Sequence, residues 1–437
     1  MTRPEGTWQN WGRSARVRPQ RVEFPRSVGA VVRAVEAAKT RGMLIKAVGA
    51  GHSFTGIAVA PGVLLDLTDL SGIVSVDRER SRVTLLAGTR LHRIPALLAP
   101  YGLAMQNLGD IDRQSIAGAI STGTHGTGSR FGGISTQVVG AKLVTGTGEL
   151  LTVDENENAD LLPAVAVGLG ALGILVEVTL QCVPAFVIHA LERPEPLEAV
   201  LDELDERGTG ADHFELYWFP HTDVAMTKTN TRLPADAPLH PLSAAGKWVD
   251  DVLIGTAVHE AVCRLGKIAP GSIPFVNRTA AKIWGDREFT DRSHRVFATA
   301  RDVRFREMEY AVPADNLRPA IDAVRALIDD RGWRISFPIE VRFAAADDLW
   351  LSTASGRASG YLAVHRYWRE DPTEYFEAVE QIMLSLGGRP HWGKMHTLDA
   401  SVLRGRYPRF DDFVALRDRL DPDRLFRNRY LDRVLGE

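Results

Sequence analysis

The chain has 437 residues, of which 45% are hydrophobic and 24% are charged, and its formal net charge is −3. This length exceeds that of one typical hydrophobic core, so we expect two domains. The composition is that of an ordinary globular protein, and the nearly balanced charge gives no support for a nucleic-acid-binding groove.

The N-terminal residues contain no apolar run that resembles a signal peptide, and no stretch of about 18 apolar residues occurs elsewhere. We therefore expect a cytoplasmic protein without an integral membrane segment, with peripheral membrane contact left open. Cys182 and Cys263 are the only cysteines, and they lie far apart in the sequence. Their spacing predicts neither a disulfide nor a metal site.

The first half of the chain alternates predicted helices with hairpins. Apolar residues at helical spacing follow Ser27, a suitable N-cap, and stop at Gly42. Strands are predicted for "MLIKAV" and "GVLLDL", a hairpin for "IVSVD" with "RVTLLAG", a second hairpin across Gly146 to Gly148, and a strand for "GILVEVTLQCV". This order predicts an α+β domain over residues 15–186.

The pattern changes after Pro184 and predicts a second α+β domain over residues 187–390. Helices are predicted near 194–207, 313–330 and 372–386, and the stretch "PADAPLHPLSAAG" reads as a loop. Residues 391–437 are expected to form helices that return to the first domain. The sheet of this domain should have about five strands, namely "FVIHAL", "HFELYWF", "FREMEYAV", "RISFPIEVRF" and "GYLAVHRYW".

Two glycine-rich segments stand in the first domain. In "KAVGAGHSF", Gly49 and Gly51 match the start of a dinucleotide fingerprint, but Phe54 occupies the third glycine position. A Rossmann NAD site therefore has little support. The segment "SIAGAISTGTHGTGSRFGG" is the second, and no acidic residue occurs from Arg113 to Gly148. We interpret the two segments as two walls around a phosphate-bearing ligand, with flexible glycine loops as the alternative.

The stretch "ISFPIEVRFAA" is predicted to be a strand with a charged pair on one face. Side chains two residues apart share a face, so Glu340 and Arg342 project together. Opposite charges within an apolar strand are costly unless they are paired or used. A surface ion pair is the alternative interpretation.

The combined motifs resemble a known family. The segments "VGAGHSF", "QNLGDIDRQSIAGAISTGTHGTG" and "LGALGILVEVTLQ" resemble the FAD domain of vanillyl-alcohol-oxidase type (PCMH-type) flavoproteins. The segments "FPIEVRF", "RPHWGKMH" and "DPDRLFRNRYL" are similar to the aldonolactone oxidoreductases, the actinobacterial L-gulono-1,4-lactone dehydrogenases and D-arabinono-1,4-lactone oxidases among them. This resemblance, over roughly residues 10–435, implies a two-domain PCMH-type FAD-binding fold with an α+β substrate (cap) domain.

The resemblance also implies which residues hold FAD. His52 occupies the place at which many of these enzymes attach the flavin ring covalently, and His125 is expected to be a structural neighbour of FAD. The residues implied for cofactor binding are Ala47, Val48, Gly49, Ala50, Gly51, His52, Ser53, Ser115, Gly118, Ser121, Thr122, Gly123, His125, Gly126, Gly173 and Ile174.

The implied catalytic residues are Glu340, Arg342, Lys394 and His365. Arg342 and Lys394 would stabilise negative charge on the reduced flavin, and Glu340 would orient the substrate hydroxyls. His365 is equally well explained as a core residue. The resemblance also implies one position at which a side chain larger than glycine hinders access of O2 to the flavin. A gapless count along the sequence places Thr68 at that position, which favours a dehydrogenase over an oxidase.

The implied reaction is FAD-dependent oxidation of a sugar-1,4-lactone at C2 by hydride transfer to flavin N5, with L-gulono-1,4-lactone as the first choice. The electron acceptor, which is O2, a quinone or a cytochrome, stays open. An alditol oxidase producing hydrogen peroxide is the nearest alternative, and an FAD-binding protein without catalysis is another.

Overall fold

The computed structural model describes residues 6–243, 257–283, 285–299 and 303–437. The end of the predicted "PADAPLHPLSAAG" loop, residues 244–246, lies outside the described residues. Most of the remainder of that stretch has no helix or strand, in agreement with the prediction.

A small parallel sheet and its crossover helix open the first domain. The helix Val28–Thr40 begins at Ser27, whose side chain accepts a hydrogen bond from the backbone N–H of Ala30. The strands pair in the order Arg21–Glu23, Val63–Asp66 and Ile45–Val48. The predicted helix and both predicted strands are confirmed.

A five-stranded antiparallel sheet contains both predicted hairpins. Its strand order is Leu150–Asp154, Val138–Val144, Ile174–Gln181, Arg82–Leu86 and Ile73–Asp77. Gly148 lies in the second hairpin turn with φ +92°, a conformation that glycine adopts without a steric penalty. Both hairpins and the strand predicted from "GILVEVTLQCV" are confirmed.

The remaining elements of the first domain are short. The strands Trp8–Gln9 and Arg16–Val17 form one pair, and Leu103–Ala104 and Val183–Pro184 form another. The short helices are Ile94–Leu98, Ile116–Ser121 and Leu162–Val165. The 3-10 segments of the described chain are Leu67–Asp69, Leu91–Arg93, Ala99–Tyr101, Ile134–Gln137, Ala159–Leu161, Pro270–Ser272 and Ala314–Asn316.

An eight-stranded antiparallel sheet forms the second domain, where about five strands were predicted. Its order is Arg287–Arg292, Phe186–Pro196, Val224–Pro234, His213–Trp218, Ile339–Ala344, Ser359–Tyr367, Phe305–Pro313 and Arg389–Pro390. The prediction of about five strands was wrong because Arg389–Pro390 is only two residues long and because Val224–Pro234 and Arg287–Arg292 carry few apolar residues. Both pair along the long strand Phe186–Pro196, so backbone ladders hold them in the sheet.

The strand that carries the charged pair starts later than predicted. Its prediction began at Arg334, whereas the structure begins it at Ile339, directly after Pro338. Proline has no backbone N–H to donate to a ladder, which explains why pairing starts beyond it.

Helices cover this sheet. Leu197–Asp202, Leu204–Gly210, Leu317–Asp330 and Thr373–Ser385 correspond to the three predicted helical regions, the first of which is split in two. The other helices among the described residues of this domain are Ala257–Ile268, Ile273–Ile283 and Ser293–Phe297.

The C-terminal segment contains the helices Ala400–Arg404, Phe410–Leu420 and Arg429–Leu435 and contacts the first domain. The backbone N–H of Ile45 donates to the carbonyl oxygen of Leu425 over 2.9 Å. The domain limits themselves stay a prediction, because the main hydrophobic cluster runs continuously from Val31 to Leu435. In the part of the chain that the structure describes, no helix has the length and apolar character needed to cross a bilayer.

Candidate active site

The two glycine-rich segments form two walls of one cavity, here called the glycine groove, with an empty volume of about 930 Å³. Thirteen of the residues predicted to bind cofactor line it: Ala47, Val48, Gly49, Ala50, Gly51, His52, Ser53, Ser115, Gly118, Ser121, Thr122, Gly173 and Ile174. Trp8, Lys46, Ile57, Ala58, Leu67, Gln114, Ala117, Leu169, Gly170, Leu175 and Phe426 complete the lining.

The walls of the groove approach each other closely at Gly49. A Cβ atom built there would lie 2.3 Å from the hydroxyl oxygen of Ser115 on the other wall. That hydroxyl already accepts a hydrogen bond from the backbone N–H of Gly118 and caps the helix Ile116–Ser121. Gly51 has φ +70°, so glycine is also favoured there on conformational grounds.

The chemistry of the groove fits the anionic dinucleotide FAD. Among the described residues its lining contains no aspartate or glutamate, and Lys46 supplies a buried amine. The Lys46 amine donates hydrogen bonds to the carbonyl oxygens of Gly170 and Phe426. Burial lowers the Lys46 pKa to about 7, against the opposing effect of Asp421 and Asp432. Close backbone approach without acidic side chains is what a pyrophosphate requires.

We expect Gly49→Ala to lower the FAD content of the purified protein, because its Cβ would displace the Ser115 hydroxyl and disturb both walls. The measurement is the ratio of FAD to protein in the purified variant. Gly56→Ala is the matched control, since the nearest atom to its Cβ lies 3.7 Å away and the position is in the same loop region. Equal FAD content in both variants would contradict this assignment.

His52 lines the groove with its ring stacked on Trp11, at 5.8 Å between ring centroids. Burial, together with the charges of Arg90, Lys394 and Arg113, lowers its pKa to about 4. The imidazole is therefore neutral near pH 7 and keeps a lone pair for bond formation. Lys394 acts on His52 from the neighbouring cavity.

This second cavity, here called the charged cavity, has an empty volume of about 510 Å³, and Gln114 lines both cavities. Its lining consists of Gly109, Asp110, Ile111, Gln114, Thr124, His125, Phe305, Glu307, Glu309, Glu340, Arg342, His365, His391 and Lys394. The four predicted catalytic residues, Glu340, Arg342, His365 and Lys394, are thus brought together, although they come from three separate segments.

Glu340 and Arg342 form a buried ion pair on the strand Ile339–Ala344. Arg342 also contacts Glu215, with Nε 3.0 Å from the carboxylate, and Asp110, with Nη2 at 3.5 Å. Burial alone would lower the Arg342 pKa, but Glu340, Asp110 and Glu215 raise it well above its usual value. The guanidinium is therefore permanently charged, and the prediction that the strand carries a paired charge is confirmed.

Tyr217 connects Glu340 to Glu215 on the adjacent strand. It lies directly opposite Glu340 in the sheet register. Its hydroxyl lies 3.2 Å from the Glu340 carboxylate and 3.3 Å from that of Glu215. A phenol donates one hydrogen, so the two carboxylates share it.

Lys394 and His365 meet at Glu307, a buried residue of the strand Phe305–Pro313. The Lys394 amine is ion-paired with the Glu307 carboxylate, and Nε2 of His365 lies 3.6 Å from it. Burial alone would raise the Glu307 pKa, but Lys394 and His365 lower it to about 2. Burial alone would lower the Lys394 pKa, which Glu307 and Glu309 raise above its usual value. Both partners are therefore ionised.

His365 has a defined tautomer. Its Nδ1 lies 3.0 Å from the carbonyl oxygen of Pro338, which can only accept a hydrogen bond. Nδ1 therefore carries a proton, and Nε2 is the atom left to exchange protons within the charged cavity. His365 is buried as a core residue would be, yet it also lines the cavity.

His125, Glu309 and His391 form a cluster whose donor atoms lie within 4.8 Å of one another. His125 places Nδ1 2.8 Å from the carbonyl of Gly126 and Nε2 3.1 Å from the Glu309 carboxylate. Nδ1 of His391 accepts the Gly393 N–H over 3.0 Å, so its Nε2 holds the proton. Burial lowers the His391 pKa to about 4, so His391 is neutral, and we interpret the cluster as the buried His125–Glu309 pair beside a neutral imidazole.

The structure separates some predicted residues from the rest. His125 lies in the charged cavity and is paired with Glu309, whereas Gly123 and Gly126 line neither cavity. Gly126 is needed for loop packing, since its Cβ would lie 2.2 Å from the Leu108 carbonyl oxygen. The placement of Thr68 beside the flavin was wrong. Thr68 is exposed, and its hydroxyl bonds to Asp66 and Arg90 outside both cavities.

Sequence reasoning missed five acidic or aromatic residues of the site: Asp110, Glu215, Tyr217, Glu307 and Glu309. A usable signal was present for four of them. "FREMEYAV" and "HFELYW" place polar side chains two residues apart within apolar strands, which is the pattern that identified Glu340 and Arg342. Asp110 lies in a loop and has no such signal.

Two family models match the chain. The model described as D-arabinono-1,4-lactone oxidase matches residues 178–434, and the FAD binding domain model matches residues 19–154.

Full-length relatives are also similar. The L-gulono-1,4-lactone dehydrogenase of Mycobacterium tuberculosis is 43% identical over 98% of this chain and 99% of its own. The L-gulonolactone oxidase of Bos taurus is 33% identical over 98% of each chain. Among solved structures, cholesterol oxidase from Brevibacterium sterolicum superposes with a TM-score of 0.82 at 18% identity, covering 98% of this chain and 96% of that one. This last likeness bears on the fold alone, and it confirms the predicted two-domain PCMH-type architecture.

Proposed function

Because the chain belongs to the D-arabinono-1,4-lactone oxidase family and is an FAD-dependent oxidoreductase, we propose that it oxidises a sugar-1,4-lactone at C2. L-gulono-1,4-lactone is the substrate of first choice, since the relative with 43% identity carries that name. The observation that carries the proposal is the meeting of the glycine groove with a cavity containing Glu340, Arg342, His365 and Lys394.

FAD, when bound in the glycine groove, supplies the acceptor for the hydride that leaves the substrate carbon. The chain's own part is binding and charge placement. Arg342 and Lys394 are fixed cations that stabilise negative charge as the oxidation proceeds. The Glu340 carboxylate accepts hydrogen bonds from substrate hydroxyls and so orients the reacting carbon.

The hydroxyl proton needs an acceptor within the charged cavity. The ion pair between Glu340 and Arg342 makes Glu340 a weak base, because the adjacent cation favours the carboxylate form. His365 is better placed, since the Pro338 carbonyl oxygen holds Nδ1, and Glu307, 3.6 Å from Nε2, would stabilise positive charge on the ring. We assign the proton to His365 and substrate orientation to Glu340.

We further propose that His52 carries FAD through a covalent bond. Its neutral ring in the groove supports this role. After acid precipitation, the yellow colour should stay in the pellet of the wild-type protein and be released from His52→Ala. Trp11→Phe, which keeps an aromatic ring against His52, should retain the colour. Release of FAD from the wild type would contradict covalent attachment and leave the rest of the proposal intact.

The enzyme is proposed to act as a dehydrogenase rather than an oxidase, on the strength of the relative with 43% identity. The exposed Thr68 no longer contributes to this argument. The test is steady-state turnover of L-gulono-1,4-lactone in air, with and without an artificial electron acceptor. We expect turnover to depend on the added acceptor, with little hydrogen peroxide formed. Equal rates in air alone, with stoichiometric peroxide, would identify an oxidase.

A substrate panel tests the choice of lactone. We expect turnover of aldono-1,4-lactones and none of xylitol or sorbitol. Lactones and alditols both present a hydroxylated carbon, so either could occupy the charged cavity. Preferential turnover of the alditols would identify the protein as an alditol oxidase and contradict the lactone assignment.

A further inference from the structure

The second domain carries a helical hairpin, formed by Ala257–Ile268 and Ile273–Ile283 and joined by residues 269–272. Its inner side is anchored to the protein. Cys263 is fully buried in a cluster with Phe305, a wall residue of the charged cavity. Asn277 donates hydrogen bonds to the carbonyl oxygens of Pro220 and Ile335. The hairpin is therefore a fixed part of the fold.

The turn end of this hairpin is apolar and exposed. Ile268, the last residue of the first helix, is 82% exposed, and Phe275, near the start of the second, is 72% exposed. Leu265 stands one turn before Ile268 and is 48% exposed. Both ends of the turn thus present large apolar side chains to solvent, which is costly unless another surface covers them.

Basic residues are exposed on both helices of this hairpin. Arg264, Lys267, Arg278 and Lys282 are exposed, whereas Glu260 is the only acidic residue from 257 to 282. The Glu260 carboxylate is already ion-paired with Arg264 and accepts a hydrogen bond from the hydroxyl of Tyr367. The hairpin is therefore locally cationic in a chain whose net charge is −3.

We propose that this hairpin docks the protein on the surface of a bilayer containing anionic phospholipids. Ile268, Phe275 and Leu265 enter the interface between headgroups and acyl chains, and the four basic residues contact the lipid phosphates. An apolar face with a cationic margin is the pattern of interfacial membrane binding. Three side chains are too few for the roughly 800 Å² that each partner contributes to a stable protein interface.

The inferred contact is peripheral and independent of the proposed lactone oxidation. Because Cys263 packs in the same cluster as Phe305, docking holds this wall of the charged cavity close to the bilayer. None of the tip residues lines either cavity. Substitutions at the tip can thus be tested without disturbing the site.

The experiment measures co-sedimentation of the FAD-loaded protein with vesicles of phosphatidylcholine alone or with phosphatidylglycerol added. We expect binding to the anionic vesicles that weakens as salt is raised. The double variant Ile268→Asp with Phe275→Asp should lower the partition coefficient by at least about tenfold. Lys267→Glu with Lys282→Glu should lower it by a similar factor. Val402→Asp, at an exposed apolar residue elsewhere, is the control and should bind normally.

A second readout locates the contact. Cys182 and Cys263 are buried, so a cysteine introduced by Ile268→Cys can be labelled selectively with a polarity-sensitive dye. We expect a blue shift of its emission on adding anionic vesicles. Equal binding of the double variant and the wild type, or an unshifted dye, would overturn the proposal.

Size measurement without lipid completes the test. A dimer that Ile268→Asp dissociates would assign the tip to a second copy of the chain and overturn docking on lipid. Lactone-driven bleaching of FAD should be unchanged in the double variant, which shows that it folds. A wild-type protein that the lactone bleaches but that does not bind anionic vesicles would contradict the docking proposal and leave the proposed function untouched.

Discussion

Lys394→Ala is expected to slow lactone-driven bleaching of FAD by about 10² to 10³-fold under anaerobic conditions. Lys394 lines the charged cavity, and its pKa is raised above the usual value by Glu307 and Glu309, against the effect of burial. It therefore supplies a constant positive charge where negative charge develops during oxidation. The measurement is the single-turnover rate at saturating L-gulono-1,4-lactone in a stopped-flow instrument.

Two further variants separate catalysis from simple charge balance. Lys39→Ala removes an exposed lysine that pairs with Asp423, and we expect it to bleach at the wild-type rate. Combining Lys394→Ala with Glu307→Gln also removes the carboxylate that Lys394→Ala alone would leave without its lysine partner. Recovery of the wild-type rate in this double variant would show that Lys394 only neutralises Glu307, and would contradict its catalytic role.

Arg342→Met is expected to abolish turnover, with kcat/KM lowered by at least about 10³-fold, and to destabilise the fold by about 3–5 kcal/mol. The destabilisation follows because Glu340, Glu215 and Asp110 would lose the cation that all three contact. The free energy of unfolding is measured by chemical denaturation, and turnover is measured well below the midpoint.

The two effects of Arg342→Met can be separated. Adding Glu215→Gln removes one of the stranded charges and should restore part of the lost stability without restoring turnover. Arg342→Lys keeps the charge but cannot reproduce the forked contacts of a guanidinium. Its free energy of unfolding should therefore lie between those of the wild type and of Arg342→Met. Wild-type turnover in Arg342→Lys would show that charge alone is sufficient at this position.

Local signals predicted much of the first domain. The cap at Ser27, the glycine turn at Gly148 and the period-two strands each depend on residues close together in sequence. Val224–Pro234 and Arg287–Arg292 lacked such a signal, since their place in the sheet is set by pairing with Phe186–Pro196. Pairing partners far away in the chain are not visible in the composition of a single strand.

Part of the candidate site could be predicted from the two-residue alternation of side chains along a strand. Glu340 and Arg342 were found because alternation placed both on one strand face. Glu307 and Glu309 share that pattern, but their importance becomes visible only when the strand lies beside Lys394 and His125. The surroundings of each acid depend on these partners, which are distant in sequence, and this explains why the extent of the charged cavity required the fold.

The error at Thr68 has a different cause. The position of Thr68 was predicted by counting back from Val76 without gaps. Thr68 lies in the 3-10 segment Leu67–Asp69, where the chain turns away from the groove. Leu67 lines the groove, while the side chain of Thr68 faces solvent and bonds to Asp66. A one-residue step in a turn therefore decides whether a side chain reaches the cavity.

The most direct test of the central claim is anaerobic addition of L-gulono-1,4-lactone to the FAD-loaded protein while its visible flavin absorption is followed. We expect complete bleaching by the lactone, at a rate about 10² to 10³-fold slower in Lys394→Ala. Flavin that stays oxidised with this and every other aldonolactone would contradict the claim that the glycine groove and the charged cavity form one oxidative site.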